Sequence, residues 1–211
     1  MAKESLFRAS IGKKFAMALS AFFLLIFLTQ HFIINSLSVI CPSAFNEVSH
    51  FMGLNPIIQF LIQPILIVAV IYHFVMGFVL EAKNRKARGP VSYAMSNNAA
   101  NSTWMSRNMI WSGAVILAFL VLHFIDFWIP EISHKYIHAL PEDPSRYYDE
   151  LLHRFQNPLR VGAYVIAFLL LMMHLLHGFQ SAFQSVGFNH RKYTPFIKAF
   201  GKIYAIAIPV G

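Results

Sequence analysis

The chain has 211 residues, 57% of them apolar and 12% charged, and its mean hydropathy is positive. That composition leaves too little polar surface for a water-soluble domain and defines an integral membrane protein. The net charge of +8 does not point to nucleic acid, because the basic residues flank apolar runs, where they set membrane orientation.

Five apolar runs predict an all-α fold of five transmembrane helices in a single domain, 1–211. The runs are 15–40, 56–80, 109–129, 161–183 and 195–210, against roughly 20 residues needed to cross the hydrocarbon. The first is too long for a signal peptide, lacks a small-residue cleavage site and carries the polar Thr29, Gln30 and His31. Cys41, the only cysteine, allows no internal disulfide and no cysteine-ligated cluster. The third run is expected to stop at Pro130. The fifth is short, so it is expected either to continue past Gly211 or to lie tilted.

Lys3, Arg8, Lys13 and Lys14 precede the first run, and Lys83, Arg85, Lys86, Arg88 and Arg107 separate the second from the third. Arg191, Lys192, Lys198 and Lys202 surround the start of the fifth. The positive-inside rule places all of these on the cytoplasmic side, with the N-terminus inside and the C-terminus outside.

His31, His73, His123 and His174 fall one apiece inside the first four runs. An ionisable side chain in hydrocarbon is costly and marks function. At about 1.5 Å per residue, His31 lies roughly 6 Å before Asn35 and His123 roughly 10 Å before Pro130, both in the outer half. His73 lies about 25 Å after Pro56 and His174 about 21 Å after Arg160, both in the inner half. Depth therefore pairs His31 with His123 and His73 with His174. A lone membrane histidine serves more often as a hydrogen-bond partner between helices or in a proton path. Two depth-matched pairs point instead to two bis-histidine haem b sites and an electron path across the membrane.

His177 is the alternative to His174. A glycine follows both His73 and His174 by four residues, at Gly77 and Gly178, on the same helix face, where it would let a flat porphyrin approach the backbone. That match favours His174. Neither a zinc-hydrolase H-E-x-x-H nor a C-x-x-C-H haem-attachment motif is present. His50, His134, His138, His153 and His190 fall in loops and read as surface residues.

The segments SIGKKFAMALSAFFLLIFLTQHF, AFNEVSHFMGLNP, YHFVMGFVLEAKNRKARG, NSTWMSRNMIWSG and HLLHGFQSAFQSVGF carry a resemblance over essentially the whole chain. It resembles the single-chain, five-helix, two-haem cytochrome b anchors of succinate dehydrogenase and fumarate reductase of bacteria such as the Bacteroidetes. The resemblance implies a bacterial cytoplasmic membrane and axial ligands at His31, His73, His123 and His174. It also implies a flavoprotein that interconverts succinate and fumarate, an iron–sulfur partner, and a membrane quinone, menaquinone in this reading. With that come a propionate partner at Arg107 and quinone proton transfer at Glu47, with Asp126 as a second candidate for it. The rival readings are the cytochrome b anchor of a hydrogenase or formate dehydrogenase, and a haem-free proton-relay transporter. Against the transporter stand scarce intramembrane carboxylates and the lack of an evident internal repeat.

Overall fold

A computed structural model describes residues 10–88, Trp104 and residues 108–211. Its elements are α1 (Ser10–Ile40), α2 (Pro42–Leu54), α3 (Gln63–Arg88), α4 (Met109–His123), α5 (Ile129–Ile132), α6 (Arg146–Arg154), α7 (Pro158–Ser185) and α8 (Thr194–Val210). Three π-helical turns, Ile58–Ile62, Phe124–Trp128 and Ser133–Ile137, join or extend them. Among the described residues, four continuous helical runs are long and apolar enough to cross a membrane: Ile11–Ile40, Ile58–Ala87, Met109–Ile137 and Pro158–Ser185. Their outward faces expose large apolar side chains, among them Ile26 (70%), Val68 (66%) and Trp111 (67%). Such faces are stable against lipid and not against water. The protein is a multi-pass helical membrane protein.

The four long helices form a ring in which α1 packs on α3, α3 on α4, α4 on α7 and α7 back on α1. Thus α1 and α4 are diagonal to each other, as are α3 and α7. The fifth predicted span is α8, a helix of 17 residues, about 25 Å long, that sits outside the ring against α7 and touches α1. Gly201 permits this approach: a Cβ there would lie 2.7 Å from Cδ1 of Phe179. On the α1 side, Tyr204 donates to the Leu25 carbonyl at 2.8 Å, and its hydroxyl lies 2.9 Å from that of Thr29.

The expectation that the third helix stops at Pro130 fails for a local reason. A proline in an α-helix lacks its N–H and its ring strikes the carbonyl four residues back. Here the residue just before the proline, Ile129, reaches back five residues to the Phe124 carbonyl. The wider turn carries the chain past Pro130 to Ile137. The same device precedes Pro64, where Gln63 bonds the carbonyl of Ile58. Both are π-turns of the kind that insert one residue into a helix.

Two segments expected as loops are helical. Pro42 opens α2 at its first position and Phe45 buries its inner face. Asn46 of α2 then caps α6 from outside: its carbonyl accepts from the Tyr148 amide at 2.8 Å and its amide donates to the Ser145 carbonyl at 2.9 Å. The two short helices therefore lie together at one end of the ring.

Gly201→Ala should destabilise the α7–α8 contact by about 1–3 kcal/mol, the usual cost of overpacking. Gly162, whose Cβ would meet nothing within 4 Å, is the control, and Gly162→Ala should leave the melting temperature in detergent unchanged or raise it.

Candidate functional site

Each of the four ring helices contributes one histidine to the interior, and the histidines meet across the diagonals. The rings of His31 on α1 and His123 on α4 have centres 5.7 Å apart with planes at 85°. Those of His73 on α3 and His174 on α7 are 6.4 Å apart at 63°. These are the two pairs that helix rise alone selects. His174, rather than His177, faces His73; His177 is half-buried on the same helix.

The imidazoles are oriented by hydroxyls that sequence reasoning missed. Ser20 lies 3.1 Å from Nδ1 of His73 while donating its own proton to the Met17 carbonyl at 2.7 Å. Ser112 lies 3.1 Å from Nδ1 of His174 and donates to the Met109 carbonyl at 3.0 Å. Tyr164 lies 3.5 Å from Nδ1 of His123 and donates to Oδ2 of Asp126 at 3.0 Å. A hydroxyl has one proton. Since each is given elsewhere, each oxygen accepts from Nδ1–H, which fixes the tautomer and leaves Nε2 of that ring as a free donor pair.

These contacts expose a repeat. Met17, Ser20 and His31 on α1 recur as Met109, Ser112 and His123 on α4, with identical spacing. Asn55-Pro56 before α3 recurs as Asn157-Pro158 before α7, and each asparagine side chain accepts two amides of the following turn. His73 and Gly77 match His174 and Gly178. The distance from asparagine to histidine is one residue longer in the first half, which is the residue that the π-turn Ile58–Ile62 inserts. The halves α1–α3 and α4–α7 are thus equivalent and run in the same sense. The lack of an evident repeat is corrected accordingly: only widely spaced polar residues carry it.

Both glycines face a methionine tip. A Cβ on Gly77 would lie 3.7 Å from Cε of Met17, and one on Gly178 would lie 3.2 Å from Cε of Met109. Asp126 is 1% exposed. It takes the Tyr164 hydrogen bond on one oxygen and faces Arg160 Nη2 at 3.0 Å with the other, a charge contact rather than an aligned hydrogen bond. Glu47 stands exposed on α2 and makes no hydrogen bond or ion pair among the described residues. Arg107 lies outside the described residues.

The carboxylate that organises the α2–α6 end is Glu131. It pairs with Lys135 and Arg146 and accepts from Tyr147, while Lys135 also donates to the Gly53 carbonyl. Burial disfavours the Arg146 charge, but hydrogen bonds to Glu150 and Glu131 outweigh it and hold the guanidinium above its ordinary range. Burial, then the Glu131 charge, pushes the Tyr147 hydroxyl up to about 12. On the outward face of α1, an open groove of about 380 Å³ is lined by Ile26, Thr29, Gln30, Ile33 and Ile34.

Fold and site together define a helical membrane protein with paired histidines inside a four-helix ring. The chain is similar to the succinate dehydrogenase cytochrome b558 subunit of Bacillus subtilis (strain 168), with 24% identity over 156 residues, 74% of this chain and 69% of that protein. No protein-family model matches the chain, and no solved structure matches it.

Glu131→Gln should cost about 2 kcal/mol, between the values of exposed and fully buried ion pairs, because it leaves Lys135 and Arg146 without their shared charge. Glu47→Gln should leave thermal stability unchanged in the same melting experiment.

Proposed function

We infer that the chain is the cytochrome b membrane anchor of a succinate:quinone oxidoreductase, with one haem b held by His31 and His123 and a second by His73 and His174. The observation that carries this reading is the ring-to-ring spacing. Imidazoles on opposite sides of one metal, at metal–nitrogen bonds of about 2.0 Å, have ring centres roughly 6 Å apart, and the pairs measure 5.7 and 6.4 Å. Two nitrogens per site also suit an iron that brings four of its own. Among the described residues no cluster of three or more His, Cys, Asp or Glu could hold a bare ion.

Haem, when bound, supplies one-electron transfer. The protein holds three of the four ligands in one tautomer through Ser20, Ser112 and Tyr164, hydroxyls already committed as donors, which suits fixed ligands better than proton relays. The similarity to a succinate dehydrogenase cytochrome b558 subunit supports a flavoprotein and an iron–sulfur protein as partners, docked at the end opposite α2 and α6. That end carries Lys14, Lys83, Arg85, Lys86, Arg191 and Lys192, so it faces the cytoplasm and the N-terminus is inside. The groove on the outward face of α1 suits a membrane quinone: its wall is apolar for an isoprenoid tail, and the exposed Gln30 amide, one N–H of which meets Met52, has its other N–H for a carbonyl oxygen.

Purified with its partners, the wild type should carry two low-spin b-type haems per chain that succinate reduces. His123→Ala and His174→Ala should each remove one haem, whereas His177→Ala should keep both. A haem-free folded protein would refute the reading, and reduction by hydrogen or formate in place of succinate would move the chain to another dehydrogenase.

A further inference from the structure

The two halves of the repeat differ in what stands behind the histidines of the His31–His123 pair. Counting from the histidines, Asp126 of the second half corresponds to Ile34 of the first, and Tyr164 corresponds to Gln63. Arg160 corresponds to Ile58 or Gln59, depending on which side of the inserted residue the count is taken. An ion-paired, hydroxyl-linked group therefore stands behind His123 and has no counterpart behind His31, although both rings pack on the phenylalanine four residues earlier, Phe27 at 5.5 Å and Phe119 at 5.9 Å.

The second half builds this group deliberately. Tyr164 is 4% exposed and is clamped edge-on by Phe119 at 4.8 Å and Phe155 at 4.9 Å. Asp126 lies in the π-turn Phe124–Trp128, which re-aims it relative to an α-helical position. Arg160 reaches it from the first turn of α7, at the rim of a surface cavity of about 540 Å³ shared with His153, Arg154, Gln156 and Asn157. A buried carboxylate is costly without such partners. Its retention beside His123 calls for a use.

Chemistry supplies one. Ser20 and Ser112 give their protons to neutral backbone carbonyls, whereas Tyr164 gives its proton to a carboxylate. A phenol polarised in that way is the stronger acceptor for Nδ1–H and makes the imidazole a more basic ligand. A more basic ligand favours the more positive, oxidised iron. We propose that Tyr164, Asp126 and Arg160 form a positioning unit that lowers the reduction potential of the centre at His31–His123 and leaves the one at His73–His174 unaffected. The proposal rests on the two-haem reading above.

Optical redox titration of the intact purified complex tests it, since it reads a midpoint for each haem. Tyr164→Phe keeps the ring between Phe119 and Phe155 and removes only the hydroxyl. One midpoint should rise by about 30–60 mV, a three- to tenfold change in the reduced-to-oxidised ratio at 59 mV per decade for one electron. Asp126→Asn should raise the same midpoint and Asp126→Glu should restore it, while Ser112→Ala should move only the other haem. If Asp126→Asn fails to fold, Tyr164→Phe decides. Two haems with unmoved midpoints in Tyr164→Phe, or both midpoints moving equally, would overturn this proposal alone. A haem-free wild type would overturn the two-haem reading and this proposal with it.

Discussion

An imidazole inside a membrane helix must have a partner for its N–H, because hydrocarbon offers none and an unmet polar group there costs several kcal/mol. The interior of this protein is arranged around that requirement. Two serines and one tyrosine accept Nδ1–H from three of the four rings, and each can do so because its own proton is satisfied by a neighbouring oxygen. The serines use the carbonyl three residues back in their own helices, so the helix backbone itself fixes where the hydroxyl points. What is left is a set of Nε2 atoms with one possible role, that of acceptor or metal ligand.

The repeat explains why the histidines meet on diagonals. Each half supplies a helix with its histidine towards the α2–α6 end and a returning helix with its histidine towards the other. Two such halves packed in parallel bring equivalent histidine pairs to two depths. Such repeats in membrane proteins are related by an axis along the membrane normal. Departures from the symmetry then become informative, because the common scaffold explains everything the halves share. The first half carries Ile34 and an open groove where the second carries the buried Asp126 carboxylate paired with Arg160.

Helix rise made the histidine pairing legible in the sequence, since 1.5 Å per residue converts position into depth whatever the side-chain packing. Gly77 and Gly178 were legible as a matched pair, but not the Met17 and Met109 tips that cover them, because that contact joins different helices. Pro130 misled for a physical reason: proline usually ends a helix, and only a π-turn, which has no clear sequence signature, lets the chain continue. Ser20 and Ser112 could have been found, since each stands eleven residues before a histidine. In isolation, though, a membrane serine reads as helix packing. The Asp126–Arg160 pair was hidden because its members are 34 residues apart and on different helices.

The two flanks of the His31–His123 pair are consistent with a division of labour in the proposed reading. Towards the α2–α6 end, Glu131, Lys135 and Arg146 tie the short helices to the ring, and Gln30 bonds Met52 of α2 at 3.7 Å, so access along the membrane normal is restricted. Sideways, the α1 groove is open and almost wholly apolar. A water-soluble electron acceptor would need the first route and a lipid-soluble one the second. Of the candidates that the sequence suggested, the exposed Glu47 stands on the water-facing helix α2, and Asp126 is sealed behind Tyr164 and Arg160. The group best placed to meet a ligand arriving from the lipid is therefore the Gln30 amide beside His31, which can hold a carbonyl oxygen but cannot carry its proton.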